Sequence, residues 1–412
     1  MELNLFKKDK VLKGEIHLTT SKSESNRVLI IQALSSNNIG VQNLSDSKDT
    51  QTLIKLLHLV TSNNTSDLEL NVGHAGTVMR FLTAFLCIQK EKSFVLTGSE
   101  RMQQRPIKVL VDALKSLGAE IEYVANDGYP PIKIKGKDLA GGKVSIKGDV
   151  SSQYISALLL IAPLLQKGLE LEFEGEIVSK PYIDMTIAIQ KYFGINLGWK
   201  QNSILVKPGA YLSKNIQIEA DWSGASYWFG LAALSEEVDL KIYGLKKDSL
   251  QGDAVVSKIY ENFGVKTTFI EGGIHLTKLN MVLGSDDVLK LDFENCPDIA
   301  QTVAVTCAAL NVKAKFKGLQ TLRIKETDRV FAIQNELNQL GYNVAVNGDD
   351  IIINQSDKIT RFNHKVKTYD DHRMAMAFAP LALIHPLIIE DADVVIKSYP
   401  NFWEDLNSVG VN

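Results

Sequence analysis

Val111-Asp-Ala-Leu-Lys-Ser-Leu-Gly118 reads as an amphipathic helix closed by a glycine, and the chain writes it three times more. Ile187-Ala-Ile-Gln-Lys-Tyr-Phe-Gly194, Ser257-Lys-Ile-Tyr-Glu-Asn-Phe-Gly264 and Gln334-Asn-Glu-Leu-Asn-Gln-Leu-Gly341 end in the same way, their glycines 76, 70 and 77 residues apart. Glycine suits the left-handed position that closes a helix. Alternating strands follow, as in Gly128-Tyr-Pro-Pro-Ile-Lys-Ile-Lys135 and Asp349-Asp-Ile-Ile-Ile-Asn354.

A second helix type recurs at a similar period. It is short, apolar nearly all round, and preceded by a polar cluster. The clusters are Ser21-Lys-Ser23, Gly73-His-Ala-Gly-Thr77, Ser151-Ser-Gln153, Asp221-Trp-Ser-Gly224, Pro297-Asp298 and Asp371-His-Arg373. The spacing predicts helix starts near residues 22, 77, 152, 223, 298 and 372. A helix apolar on every side is a buried helix. Two interleaved helix types separated by strands predict six α/β units. Units of that number and size exceed one core and divide into two domains of three. The boundaries fall near residues 20 and 220, giving a domain over 20–219 and another over 1–19 plus 220–412. The chain then crosses twice between domains.

Bulk properties narrow the function. A net charge of −3 over 412 residues lacks the basic excess of a nucleic-acid binder. Hydrophobic residues make up 45% and charged residues 23%, as in a globular protein. The longest apolar run, 155–165, is interrupted by Ser156 and far short of the ~20 residues of a membrane span. Cys87, Cys296 and Cys307 are odd in number and lack metal spacing. They fit a reducing cytoplasm, as does a start, Met1-Glu-Leu-Asn-Leu-Phe-Lys-Lys8, that is no signal peptide. Without a secretory signal the sequon Asn63-Asn-Thr65 carries no weight.

Seven cations sit in short motifs near predicted strand–helix junctions: Lys22, Arg27, Arg105, Lys325, Arg329, Arg373 and Lys397. Lys and Arg meet phosphate and carboxylate through charge-assisted hydrogen bonds, so this set reads as a site for small, multiply anionic substrates. The buried helices add free N–H groups and the positive ends of their dipoles.

Taken singly, several motifs have plainer readings. Gly73-His-Ala-Gly-Thr77 lacks the Gly-Lys-Ser/Thr ending of a P-loop and also reads as a tight turn with a Thr cap. Ser151 and Ser152 by themselves are helix capping. Asp298 is an ordinary first-turn carboxylate unless a cation opposes it. Lys22, Ser23 and Arg27 open a helix whose continuation, Val28-Leu-Ile-Ile-Gln-Ala-Leu34, leaves little solvated face. Arg323-Ile-Lys-Glu-Thr-Asp-Arg329 packs five charges into seven residues. If helical, it sets Lys325 and Arg329 on one face, with Glu326 a candidate acid/base beside them. His372 has no partner at ligand spacing, so no metal is expected.

In order, these motifs resemble the 5-enolpyruvylshikimate-3-phosphate synthase family. The likeness runs from Lys22 to Lys397 through Ser21-Lys-Ser-Glu-Ser-Asn-Arg27, Gly73-His-Ala-Gly-Thr-Val-Met-Arg80, Gln104-Arg-Pro-Ile107, Val150-Ser-Ser-Gln153, Ser179-Lys-Pro-Tyr-Ile-Asp184, Arg323-Ile-Lys-Glu-Thr-Asp-Arg329 and Asp371-His-Arg-Met-Ala-Met376. The resemblance implies an α/β (α+β) fold, a two-domain inside-out α/β barrel. Each domain would hold three βαβαββ repeats with buried helices, and the site would lie in the interdomain cleft. It implies transfer of the enolpyruvyl group of phosphoenolpyruvate to the 5-hydroxyl of shikimate 3-phosphate by addition and elimination. No metal or organic cofactor is implied, no nucleic acid or membrane partner, and a monomer is the family's usual state.

By matching motif, Ser23, Arg27, Ser151, Ser152, Ser179, Tyr182 and Lys325 are implied to hold shikimate 3-phosphate, with Asp298 and Thr321 beside it. Gln153 is implied to lie between the substrates and Lys22 to touch both. Arg105, Arg329, Arg373 and Lys397 are implied to grip phosphoenolpyruvate, near the backbone of Gly73 and Ala75. Asp298 is the implied base for the 5-hydroxyl and Glu326 the implied proton donor to the methylene.

The chain departs from the family pattern at three places. His74 and Thr321 stand where the family often has Asn, and Phe81 where Pro is common. Gly73 is retained, and a side chain there is expected to crowd phosphoenolpyruvate and its mimic glyphosate, so a glyphosate-sensitive enzyme is expected. Two other readings stand beside this one. A UDP-N-acetylglucosamine enolpyruvyl transferase would carry a Cys near Arg105, where Glu100-Arg-Met-Gln-Gln104 has none, and Asn after Lys22, where this chain has Ser23. An inert shikimate-phosphate sensor would need the cations but not both Asp298 and Glu326. With Lys22, Arg27 and Arg105 in one domain and the other four cations in the other, like charges are expected to hold the cleft open until anions bridge them.

Overall fold

A computed structural model describes residues 1–36, 38–62, 67–284, 286–356 and 364–412. The sequon at 63–65 lies outside the described residues. The chain divides into two compact units: Lys22–Ser45 with Asp49–Ile218, and Met1–Ser21 with Asp46–Lys48 and Glu219–Asn412. They are called the 49–218 and 219–412 units below.

The 49–218 unit holds two four-stranded sheets of one design. Asp67–Asn71 and Ser93–Thr97 run parallel, and Ile132–Lys135 and Glu120–Tyr123 are added antiparallel. Parallel neighbours need a crossover, and the helix Gly76–Cys87 supplies it. A second helix, Lys108–Ser116, leads to the closing hairpin. Gly142–Lys147, Leu169–Glu174, Ser203–Val206 and Leu197–Lys200 repeat the order, with helices Ser152–Ile161 and Lys180–Tyr192. The third repeat is reduced to the parallel pair Val41–Gln42 and Ile216–Gln217, with helices Lys22–Leu34 and Lys48–Ser62. Period-two alternation sets which strand face is buried. Ile132 and Ile134 are fully buried while Lys133 and Lys135 are exposed.

The 219–412 unit repeats the design. Val11–His17, Glu237–Tyr243, Gly273–Lys278 and Val265–Ile270 form one sheet, its first pair parallel. Val288–Asp292, Lys313–Lys317, Asp350–Asn354 and Asn343–Asn347 form the next. The last sheet is short. Lys365–Val366 runs parallel to Leu387–Ile389, and Leu3–Leu5 from the other end of the chain adds its third strand, Leu3 opposite Ile389.

In each unit the apolar helices fill the interior. All thirteen residues of Trp222–Leu234 and all seven of His372–Phe378 are buried, as is all of Gly76–Cys87 except Thr77. The sheets are separate and open, and none closes on itself among the described residues. The expected barrel is therefore no closed β-barrel. The predicted starts of the buried helices agree with Lys22, Gly76, Ser152, Trp222, Pro297 and His372. Gly118, Gly194, Gly264 and Gly341 all have positive φ behind their helices.

One predicted helix differs. Residues 257–264 fold as a short α-turn, Val256–Ile259, between 3-10 turns at Gly252–Val255 and Tyr260–Phe263. The tighter winding puts Tyr260 and Phe263, three apart, on one face. Both are fully buried, Tyr260 with its ring centroid 5.5 Å from that of Phe229. Among the described residues no helix is long and apolar enough to cross a membrane.

Candidate active site

In the 219–412 unit, four of the predicted cations meet carboxylates. Asp298 lies in the turn Pro297–Ile299, at the start of the apolar helix Ala300–Ala309. Its Oδ1 accepts from Arg329 Nη1 at 3.0 Å and stands 3.6 Å from Lys325 Nζ; its Oδ2 accepts from Arg373 Nη2 at 3.0 Å. Burial pushes the Asp298 carboxyl up. Arg373, then Lys325 and Arg329, outweigh burial and hold it well below the usual carboxylate range. The cations that oppose it thus separate Asp298 from an ordinary first-turn carboxylate. Burial in turn pulls the Lys325 ammonium down from its ordinary value.

Arg329 is 1% exposed and spends its guanidinium on three carboxylates. Nε donates to Asp371 at 2.7 Å, Nη2 to Glu326 at 2.9 Å, and Nη1 to Asp298. Asp371 also caps the helix His372–Phe378 by accepting from the Arg373 N–H at 2.9 Å. Lys397 donates to the Asp370 carbonyl at 2.6 Å and its carboxylate at 2.7 Å. Thr321 sits in the turn Gln320–Ile324 with its hydroxyl buried and without a hydrogen-bond partner.

The segment is not helical over 325–328, so Lys325 and Arg329 share no helical face. Lys325 is extended (φ −79°, ψ −155°), and Asp328 caps the helix Arg329–Gln339 that begins only there. The N-terminal pull of the Asp328 side chain on the Phe331 N–H, at 3.0 Å, sets that start. Both cations still reach Asp298, from a loop and from a helix. Arg323 fixes the loop by donating to Asp349 at 2.6 Å and Asp328 at 3.0 Å.

In the 49–218 unit the partners are mostly neutral. Arg27 is 3% exposed. It donates to Thr186 Oγ1 at 2.7 Å, the Ser23 carbonyl at 2.7 Å, Ser156 Oγ at 3.1 Å and the Tyr182 carbonyl at 3.1 Å. Burial lowers its pKa to about 10. Those bonds join the helices Lys22–Leu34, Ser152–Ile161 and Lys180–Tyr192. Phe81 lies within the unbroken helix Gly76–Cys87, its ring centroid 5.5 Å from the Arg27 guanidinium carbon. Lys22 pairs with Asp49 at 3.0 Å.

Ser151 caps Ser152–Ile161, and Gln153 donates across to Thr77 Oγ1 at 3.1 Å. Ser179 precedes Lys180–Tyr192 in a left-handed conformation, φ +54°. Ser152 and Ser179 are buried; Ser23, Ser151 and Tyr182 are half-buried. Arg105 is 7% exposed, its Nε has no hydrogen-bond partner, and no described residue forms an ion pair with it. Beside it starts Gly76–Cys87, where Ala75 at the cap gives no side-chain hydrogen bond. An uncapped helix start next to an unpaired buried guanidinium suits an anion. His74 is exposed, its Nδ1 3.2 Å from Ser99 Oγ.

Within the chain itself, a side chain is pressed at Gly76 and not at Gly73. A Cβ on Gly73 would meet nothing within 4 Å; on Gly76 it would lie 2.6 Å from Arg105 Nη1. Gly73 is needed instead for its φ of +58°. The sequence reading also passed over Asp49, Asp371 and Arg80. Arg80 donates to the Gly76 and Pro106 carbonyls, both at 3.2 Å, and so braces the two segments that meet at Arg105. Asp371 stood within a quoted motif, but nothing in the pattern marked it as the partner of a residue 42 positions away. Among the described residues no group of His, Cys, Asp and Glu could hold a metal ion.

This repeat of sheets around buried helices is the fold of enolpyruvyl transferases. EPSP synthase from Acinetobacter baumannii superposes with a TM-score of 0.77 at 20% identity, covering 100% of this chain and 98% of that one. The enolpyruvyl transferase NikO from Streptomyces tendae gives 0.78 at 14% identity, with coverage of 100% and 98%. At such identities the likeness speaks for the fold alone. Sequence carries it further. Residues 6–406 match the family described as EPSP synthase (3-phosphoshikimate 1-carboxyvinyltransferase), and the chain belongs to that family. The 3-phosphoshikimate 1-carboxyvinyltransferase of Bacteroides fragilis strain YCH46 is 47% identical over 402 residues, 97% of this chain and 96% of the relative. That of Haemophilus influenzae strain Rd is 36% identical over 430 residues, again 97% and 96%.

Proposed function

We infer that this chain transfers the enolpyruvyl group of phosphoenolpyruvate to the 5-hydroxyl of shikimate 3-phosphate and releases phosphate. The observation that carries the reading is Asp298, an ionised carboxylate met by Arg329, Arg373 and Lys325, with Glu326 on the same Arg329. Two carboxyl groups wired to one shared cation, Arg329, suit a reaction that takes a proton from one atom and gives one to another.

In this reading the hydroxyl oxygen bonds to C2 of phosphoenolpyruvate, and its proton passes to Asp298. Glu326 supplies the proton that turns the methylene into a methyl group. The tetrahedral intermediate then loses a methyl proton and phosphate, which restores the double bond. With three cations on it, Asp298 is a weak base. Phosphate and carboxylate groups that engage those cations raise its proton affinity, so the base strengthens when substrates are in place. Fixed charge and positioning carry the rate enhancement.

Ser23, Arg27, Ser151, Ser152, Ser179, Tyr182, Thr321 and Lys325 are assigned to shikimate 3-phosphate, Gln153 and Lys22 to both substrates. Arg105, Arg329, Arg373, Lys397 and the backbone at Gly73 and Ala75 are assigned to phosphoenolpyruvate. The unpaired Arg105 beside an uncapped helix start supports its share of that assignment. A cytoplasmic monomer is the proposed form, on the strength of cysteine usage and the family's habit.

Phosphate release from phosphoenolpyruvate, with shikimate 3-phosphate or UDP-N-acetylglucosamine as acceptor, tests the reading. Release with shikimate 3-phosphate alone is expected. Release with the sugar nucleotide, or binding of shikimate 3-phosphate without turnover, overturns it.

A further inference from the structure

Asp253 lies in the turn Gly252–Val255, outside every motif the reaction uses, and is 3% exposed. Its Oδ2 accepts from the Ser223 hydroxyl, while its Oδ1 is buried and has no hydrogen-bond partner. Ser223 stands in the first turn of Trp222–Leu234, where Asp221 already takes its N–H at 2.8 Å. Its Oγ also receives Arg373 Nη2 at 3.4 Å. That same Nη2 donates to Asp298 Oδ2 at 3.0 Å, and Nη1 reaches the Asp298 carbonyl at 3.3 Å and the Tyr227 hydroxyl at 3.5 Å. Arg373 is thus shared between Asp298 and the Ser223–Asp253 pair.

We propose that Asp253 is a positioning residue for Arg373: through Ser223 it holds the shared guanidinium, and its own charge state sets how strongly Arg373 attracts the phosphoenolpyruvate anion. The proposal rests on the functional reading above, in which Arg373 grips phosphoenolpyruvate.

A buried carboxyl with one oxygen unpartnered is a poor place for negative charge. Burial pushes Asp253 up to about 7; Asp298 and Asp221 add to the rise, and Arg373 and the Ser223 hydroxyl oppose it. These groups come from each neighbouring element: Asp298 from the turn Pro297–Ile299, Arg373 from His372–Phe378, and Asp221 and Ser223 from the start of Trp222–Leu234. Cys296 also feels the charge, its thiol pushed up first by burial and then by Asp253. Below about 7 Asp253 is neutral and Arg373 keeps its full pull on an anion. Above that value Asp253 is charged and competes with the anion for Arg373. Phosphoenolpyruvate binding therefore weakens as pH rises through about 7, and binding near that pH draws a proton onto Asp253.

The test compares wild type, Asp253→Asn and Ser223→Ala. Asn keeps an oxygen for Ser223 to donate to and cannot ionise; Ala at 223 removes the link. From about pH 6 to about pH 8.5 the wild-type KM for phosphoenolpyruvate should rise roughly three- to tenfold beyond any rise in Asp253→Asn, and the KM for shikimate 3-phosphate should show no such difference. Reference to the variant removes the ligand's own ionisation. Ser223→Ala should raise the phosphoenolpyruvate KM throughout, about threefold or more, and keep the pH-dependent rise. Superimposable pH curves for wild type and Asp253→Asn overturn the proposal, as does an equal shift of both KM values.

Calorimetry of phosphoenolpyruvate binding in buffers of different ionisation enthalpy gives a readout free of turnover. If wild type releases no phosphate, the functional reading fails. The proposal then stands on proton uptake in wild type that Asp253→Asn lacks, and falls if uptake is equal in both or if phosphoenolpyruvate does not bind. If Asp253→Asn does not fold, wild type decides: absence of proton uptake near pH 7 overturns the proposal.

Discussion

Arg27 and Arg329 are both buried arginines on helices, and their surroundings differ sharply. Arg27, in the 49–218 unit, spends its donors on hydroxyls and carbonyls, so its charge has no carboxylate to answer it in those bonds. Arg329, in the 219–412 unit, is enclosed by Asp298, Glu326 and Asp371. The same split separates unpaired Arg105 from Arg373, which pairs with Asp298. One unit leaves guanidinium charge for an external anion to complete. The other uses it to hold carboxylates in place and ionised. A cation of the first kind is open to an arriving anion; one of the second kind also sets the chemistry of the carboxylate beside it, with which an arriving anion must compete.

The largest effect should come from breaking the saturated arrangement. Arg329→Met leaves three carboxylates facing one another in a buried space, and should destabilise the fold by about 3–5 kcal/mol, read by denaturant unfolding. Equal stability of Arg329→Met and wild type would end the counter-ion account.

Acid sharpens the same contrast. Asp298 is depressed in the folded chain, so its contribution is present above the unfolded carboxylate value of about 3.9 and is lost as pH falls below it. The 219–412 unit should therefore loosen first. Trp222, Trp228 and Trp403 lie there and Trp199 in the other unit, so tryptophan fluorescence should shift before amide exchange speeds in the 49–218 unit.

Arg27→Lys tests the neutral arrangement. Lysine keeps the charge but not the fork, leaving Thr186, Ser156 and the Tyr182 carbonyl short of a donor, at a cost of about 1–3 kcal/mol. Inorganic phosphate should raise the melting temperature of wild type more than that of Arg27→Lys. The smallest effect concerns Arg105. Gly76→Ala should displace its guanidinium and raise the KM for phosphoenolpyruvate roughly tenfold, about 1.4 kcal/mol, while Gly73→Ala should cost about 1 kcal/mol of stability through its positive φ. The reverse ranking in KM would support the crowding of phosphoenolpyruvate expected at Gly73.

Much of the fold was legible because it repeats. Closing glycines and all-apolar helices recur with a period that single elements cannot fake, and the helix starts they predict agree with the structure to within about a residue or two. The broken helix at 257–264 was not legible, since Tyr260 and Phe263 suit either winding until Phe229 is known to lie against them. In the site, cations declare themselves by type and motif. Their partners do not. Asp371 and Asp253 are ordinary acids in sequence, and only folding brings them to arginines at 329 and 373. Gly73 and Gly76 stand three apart in one motif, and nothing short of the position of Arg105 tells which of them is pressed.

The pairing of Leu3–Leu5 with Leu387–Ile389 bears on how the molecule is made. During synthesis these first strands emerge long before their partners exist. The 49–218 unit, by contrast, draws on residues complete by Ile218 and can assemble while translation continues. Leu3–Leu5 must wait for Leu387–Ile389 to emerge before that sheet can be sealed. A circular permutant that joins the two ends and opens elsewhere would remove that wait.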